Sequence, residues 1–129
     1  MRASIRVLIV DDDEMVRDAL GDMLEQEGFD VVGRAPDGLE GVRMGVELVP
    51  DVVLMDMRMP VMNGIDAARA LRDRRCDVAV IVLSAYDDAA LRAAAREAGA
   101  AGYVAKGTDP ALLCDTIRRI GSIATGVRR

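Results

Sequence analysis

The sequence contains no histidine. That absence removes Ser-His and Cys-His nucleophilic pairs, imidazole-ligated zinc and phosphohistidine formation within this chain. Chemistry here must rest on carboxylates, hydroxyls, lysine and arginine. Aromatic residues are nearly missing too: Phe29, Tyr86 and Tyr103 are the whole set in 129 residues. An aliphatic core is expected, and a stacking platform for single-stranded nucleic acid is not. The net charge of −5 leaves no basic excess for neutralising DNA phosphates. Two cysteines, Cys76 and Cys114, are too few for a disulfide framework and fit reduced packing residues. No apolar run reaches the length of a membrane span, and no signal peptide is read ahead of the first strand. A cytoplasmic chain with no membrane partner is expected.

What remains is one domain's length with 51% apolar residues, enough for a packed interior. Five apolar runs alternate with five segments of helical period. The expected strands are Ile5 to Val10, Asp30 to Arg34, Val52 to Met55, Val78 to Leu83 and Gly102 to Ala105. Between them run helical stripes: Val16, Ala19, Leu20, Met23 and Leu24; then Leu39, Val42, Val46 and Val49; then Ile65, Ala68 and Leu71; then Leu91, Ala94, Ala95 and Ala98. Gly28 and Gly99 read as helix ends, and Pro50 as a stop. Asp109 reads as an N-cap with Pro110 at the first helical position, ahead of a stripe of Leu113, Ile117 and Ile120. The final stretch "GSIATGVRR" loses the period and is expected to be a frayed end or the start of a linker. Strict alternation implies right-handed crossovers and a parallel sheet covered on both faces, an α/β doubly wound fold. Ligands of such sheets sit at the C-terminal ends of the strands, where strand order reverses.

The residues just after each strand therefore matter most. "DDDE" follows strand 1: Asp11, Asp12, Asp13 and Glu14. Alone it reads as a helix start, with acids capping free N–H groups. Asp56 follows strand 3, which with strand 1 is the most apolar, as central strands should be. If strands 1 and 3 are neighbours, Asp11, Asp12 and Asp56 meet in one crevice. Two like charges about 5 Å apart repel by roughly 3 kcal/mol at an effective dielectric near 20. Protonation or a cation must offset that, and Mg²⁺ is the natural ion for carboxylates plus phosphate oxygens. Ser84 follows strand 4 and Lys106 follows strand 5. A hydroxyl there alone most often caps a turn, and a lone lysine is usually a solvated surface residue. Together these groups can hold a metal, a nucleophile and the oxygens of a phosphoryl group.

The stretches "VLIVDDDEMVRDAL", "PDVVLMDMRMPVMNG", "VIVLSAYDD" and "AGYVAKGTDP" occur in one order and spacing. In this the chain resembles the receiver domain of two-component response regulators over residues 4 to 121. The "DMRMPVMNG" loop and the "KGTDP" segment most resemble the NarL/FixJ-like subclass. The resemblance implies a flavodoxin-like (βα)5 sheet of order 2-1-3-4-5, with residues 1–121 as the receiver and 122–129 as the start of a linker. It implies that Asp56 accepts a phosphoryl group from a sensor histidine kinase. Asp11, Asp12, Asp56 and the main-chain carbonyl of Arg58 would serve a Mg²⁺ ion, Asp11 mainly through water. Lys106 would pair with phosphoryl oxygens, Ser84 would hydrogen-bond one of them, and Tyr103 would switch rotamer with it. Such a domain is regulatory and catalyses at most its own phosphorylation and dephosphorylation. Helix 4, strand 5 and helix 5 would form the switching face. Further partners implied are a second copy of the chain on phosphorylation, and DNA through a C-terminal helix-turn-helix domain outside this sequence. Two departures stand out: Gly107 replaces the proline common after the lysine, and Ser84 the commoner threonine.

Two other readings remain. One is a receiver-like interaction domain that works without phosphorylation. The other is a Mg²⁺-dependent phosphohydrolase with an aspartate nucleophile, of the haloacid-dehalogenase type, whose D-x-D pattern "DDDEM" contains. A substrate-binding insertion for the latter is missing.

Overall fold

The computed structural model describes residues 4–127, with side-chain environments through residue 123. The elements follow in strict alternation: β1 (Arg6–Val10), α1 (Glu14–Gln26), β2 (Asp30–Ala35), α2 (Gly38–Leu48), β3 (Val52–Asp56), α3 (Gly64–Asp73), β4 (Ala79–Ser84), α4 (Ala89–Glu97), β5 (Gly102–Ala105) and α5 (Pro110–Val127). All strand pairings are parallel, and the sheet order is β2-β1-β3-β4-β5. β1 and β3 are the apolar centre: Val7 to Val10 and Val52 to Met55 are buried. Two aliphatic clusters cover the sheet. Leu8, Val53, Met55 and Val82 pack with α2, α3 and α4, while Ile9, Leu54, Ile81 and Leu83 pack with α1 and α5.

Three expectations need correction. α5 does not lose its period at residue 121 but runs on to Val127; Arg128 and Arg129 lie outside the described residues. The α2 stripe enters the core only at Val42: Leu39, Val46 and Val49 are exposed, and Gly38, Gly41 and Gly45 are buried in their place. The reason is close approach. A methyl group on Gly41 would stand 2.8 Å from Val10, and one on Gly45 would stand 2.9 Å from Leu71. The helix buries its smallest residues because the sheet and α3 come too near for larger ones. Val49 itself is the left-handed C-cap of α2 at φ 43°, not a helical residue. In α1, only Leu24 of the expected stripe is fully buried, with Val16 and Ala19 exposed and Leu20 and Met23 half-buried. Those four line an open apolar groove against α5.

The expected stripes of α3 and α5 do enter the core at Ile65, Ala68, Leu71, Leu113, Ile117 and Ile120. Gly28 and Gly99 hold left-handed backbone at φ 91° and 98°, one residue past the caps of α1 and α4. Asp109 Oδ1 accepts the amide of Ala111 at 2.9 Å, which caps α5.

Candidate functional site

Register builds the site. Val10 pairs with Met55, Asp56 with Leu83, and Ser84 with Ala105. The next residue of each strand end is therefore a neighbour of the last, and Asp11, Asp56, Ser84 and Lys106 share one rim. Asp56 is not beyond β3 but its last residue. The amide of Met57 donates to Leu83 at 2.7 Å, so the sheet holds the backbone on both sides of the carboxylate. The chain then turns sharply. Gly64 starts α3 directly over this corner, where a Cβ would lie 2.5 Å from the Asp56 carbonyl oxygen. Only glycine fits there.

Three carboxylates converge. One oxygen each from Asp11, Asp12 and Asp56 falls within 4.8 Å of the others. Asp11 is 2% and Asp56 5% exposed, while Asp12 faces solvent. Lys106 reaches in with Nζ 2.8 Å from Asp56 Oδ1 and 3.4 Å from Asp11 Oδ2. Burial pushes the Asp56 carboxyl above its ordinary value; the hydrogen bond from Lys106 opposes this, and the charges of Asp11 and Asp12 add to the rise. Burial also disfavours charge on Lys106, but the hydrogen bond to Asp56 and the charges of Asp56 and Asp11 outweigh it and hold the ammonium above its usual range. One ammonium thus faces three carboxylates and cannot neutralise them. The surplus negative charge and the all-oxygen donor set fit a hard divalent cation such as Mg²⁺.

Ser84 is 1% exposed, and its Oγ accepts the amide of Tyr86 at 3.2 Å. The Lys106 amide donates to the Ser84 carbonyl at 2.6 Å. The Lys106–Gly107 bond is trans, and Gly107 takes φ 90°, a turn open to glycine. Tyr103 is buried, with its hydroxyl donating to the Tyr86 carbonyl at 2.8 Å. The side chain of Arg58 is exposed and stacks over the Tyr86 ring at 5.3 Å.

Asp13 caps α1, as the helix-start reading of "DDDE" expects, by accepting the amides of Met15 and Val16, and its own amide donates to Asp11 Oδ1 at 2.9 Å. Sequence reasoning missed other parts. Arg17 donates to the Asp11 carbonyl at 2.9 Å and steadies the acidic turn. Arg92 is the largest omission. It donates to the Tyr103 carbonyl at 3.2 Å, pairs with Asp87 at 2.6 Å and lies over the Tyr103 ring at 4.9 Å. No periodicity signals it, because its partners come from a loop and another strand. The one available hint is that a chain with two tyrosines places both near this rim.

Fold and site together define a flavodoxin-like α/β protein with an acidic, lysine-closed crevice at the topological switch point. Residues 7–118 match the response regulator receiver domain family. The chain belongs to that family. It is 45% identical over 115 residues to the transcriptional regulatory protein LiaR of Bacillus subtilis, covering 88% of this chain and 54% of that one. It is 40% identical over 119 residues to the response regulator UvrY of Escherichia coli, covering 92% and 55%. Among solved structures it resembles the signal receiver domain of NarL from Mycobacterium tuberculosis, with a TM-score of 0.89, 30% identity and coverage of 94% and 98%. These are regulators of the NarL/FixJ type. The chain spans about half the length of the curated relatives it matches. Among the described residues no helix is long and apolar enough to cross a membrane.

Proposed function

We propose that this domain accepts a phosphoryl group on Asp56 from the phosphohistidine of a partner sensor kinase. The observation that carries the reading is a carboxylate 5% exposed at the end of the central strand, 2.8 Å from Lys106 Nζ and within one ion's reach of Asp11 and Asp12. An Asp56 oxygen forms the new O–P bond as the P–N bond to the donor imidazole breaks. The bonding pair leaves with the imidazole nitrogen, which takes up a proton. The missing histidine is thereby supplied by the partner. Such transfer needs alignment and charge neutralisation more than covalent help. A bound Mg²⁺, held by Asp11, Asp12, Asp56 and the Arg58 carbonyl, would supply part of that neutralisation. Lys106 supplies the rest by turning its ammonium toward a phosphoryl oxygen.

Ser84 links chemistry to conformation. Donating its hydroxyl to a phosphoryl oxygen pulls Oγ away from the Tyr86 amide. Tyr86 in turn accepts the Tyr103 hydroxyl through its carbonyl. A shift of Ser84 therefore reaches Tyr103 and the α4–β5–α5 face. The donor's surface fits the apolar groove of about 480 Å³ between α1 and α5, which runs from Val16 and Met23 to Lys106. The domain is regulatory, and turns over no substrate beyond its own aspartyl phosphate. Residues 1–121 act as the receiver. Residues 122–129 lead toward a helix-turn-helix output domain that would bind DNA, as expected of a relative of transcriptional regulators of which the matched part is about half. Phosphorylation would favour a homodimer, and the chain would act in the cytoplasm.

Intact mass after incubation with acetyl phosphate tests the acceptor chemistry. A single phosphoryl adduct is expected with Mg²⁺ and not without it, and it should vanish in Asp56→Asn. No adduct on the wild type, with beryllofluoride also failing to bind, would overturn the reading in favour of an interaction domain that works without phosphorylation.

A further inference from the structure

The three carboxylates of the crevice are not held alike. Asp56 is fixed by Lys106 at 2.8 Å. Asp11 is fixed twice, by Lys106 at 3.4 Å and by the Asp13 amide at 2.9 Å. The Asp12 carboxylate is exposed and makes no hydrogen bond or ion pair among the described residues. Its direction is therefore set by its backbone, and Arg17 holds that backbone. The Arg17 amide closes the first turn of α1 on the Asp13 carbonyl at 2.9 Å. Long helical side chains lean toward the N-terminus, and the half-buried Arg17 reaches back to donate from Nη1 to the Asp11 carbonyl at 2.9 Å. On its other side, Asp11 is tied to β2 through its amide, which donates to the Ala35 carbonyl at 3.1 Å. Asp11, Asp12, Asp13 and Glu14 all lie shortly before Arg17, yet it forms an ion pair with none of them.

We propose that Arg17 is a positioning residue for the metal site, aiming the Asp12 carboxylate by gripping the Asp11–Asp12 peptide. A peptide unit is planar and includes the next Cα, so a bond at the Asp11 carbonyl fixes the plane from which Asp12 projects. A guanidinium spent on a carboxylate would neutralise an acid that the cation needs. Spent on a carbonyl, it steadies the turn and leaves all three acids to the cation. That matters for Mg²⁺, which demands near-ideal octahedral geometry and tolerates little slack in its donors. The role of Arg17 rests on the Mg²⁺ site proposed above. Charge and grip oppose one another here. As a charge, Arg17 repels a cation in the crevice, so its removal would tighten Mg²⁺ binding. As a grip, its removal weakens that binding.

The test is a ¹H–¹⁵N titration of the full chain with MgCl₂. It compares the wild type with Arg17→Met, Arg17→Lys, Asp12→Asn and the double variant Asp12→Asn/Arg17→Met. Methionine keeps much of the side chain's length but has no donor and no charge. Arg17→Met should bind Mg²⁺ about tenfold more weakly than the wild type. Arg17→Lys, which keeps a donor, should recover part of that loss. Beside Asp12→Asn the same Arg17→Met change should alter affinity by less than about twofold, because Arg17 acts through Asp12. Equal or tighter binding by Arg17→Met, no recovery by Arg17→Lys, or an undiminished loss beside Asp12→Asn would each overturn the proposal. In chelator the β1 and β3 signals of Arg17→Met should match those of the wild type; a collapsed spectrum would make Arg17 a folding residue and overturn it too. A wild type with no saturable Mg²⁺ shift sinks the metal reading and the role of Arg17 together. A wild type that binds, with Arg17→Met binding equally well, sinks the role of Arg17 alone.

Discussion

At neutral pH the Asp56 carboxylate sits where burial and two neighbouring acids disfavour its charge, with Lys106 offsetting only part of the cost. Its folded-state pKa lies above the unfolded value of about 3.9. The stability tied to its protonation is fully present below that unfolded value and is lost as pH rises through the folded one. Asp56→Asn should therefore melt higher than the wild type in chelator at neutral pH, with the gain shrinking as the pH falls toward the unfolded value. A lower melting temperature for the variant would mean that the Lys106 pair outweighs burial. Val61 is a second strained residue. It is 93% exposed and holds φ 70°, a conformation costly for a β-branched side chain. Val61→Gly removes about 1–2 kcal/mol of left-handed strain and adds about 0.5–1 kcal/mol of backbone entropy cost. A net gain of up to about 1.5 kcal/mol is expected in urea unfolding, since no buried contact is lost.

Among the elements, α4 is the least anchored, with Ala95 its one fully buried residue. Besides the packing of Leu91 and Ala94 and the bond from Arg72 to the Glu97 carbonyl, one arginine clamps it to β5. Arg92 joins the β4–α4 loop at Asp87 to the Tyr103 carbonyl and ring on β5. Losing a cation–π contact and a hydrogen bond costs about 1–2 kcal/mol. Arg92→Ala should therefore speed amide exchange across α4 and its leading loop by about tenfold, leaving β1 and β3 unchanged. Uniform acceleration through the sheet would show global destabilisation instead of a local clamp. α2 shows the opposite design, docked tightly through glycines that no other residue could replace without moving Val10 or Leu71.

For the molecule as a whole, the acidic crevice makes stability depend on a cation. A ligand that binds only the folded state at a hundred times its dissociation constant adds about 2.7 kcal/mol. For a domain of this size that raises Tm by roughly 10 °C. Saturating Mg²⁺ should stabilise the wild type by this order. Asp12→Asn and Asp56→Asn should lose most of the gain, because each removes one of the three converging carboxylates. A thermal melt of the wild type unmoved by Mg²⁺ would count against the metal proposal.

Strand count, strand order and the rim that carries Asp11, Asp12, Asp56, Ser84 and Lys106 were legible in the sequence. Apolar runs of period one and stripes of period near four are local properties, and strand ends follow from them. Helix orientation was less legible. In α2 the stripe of Leu39, Val46 and Val49 outweighs glycine on any hydrophobicity count, yet the glycines face inward because the gap to the sheet is narrow. The α1 stripe was real, but only Leu24 reaches the core in full while Val16, Ala19, Leu20 and Met23 line an open groove. The contacts of Arg92 depend on which loop and strand end up beside one another. By itself the sequence determined the alternating fold and the chemical inventory of the crevice, since both follow from local pattern. Only the tertiary structure decided how that inventory is charged and clamped, because register and burial set the distances between groups far apart in the chain.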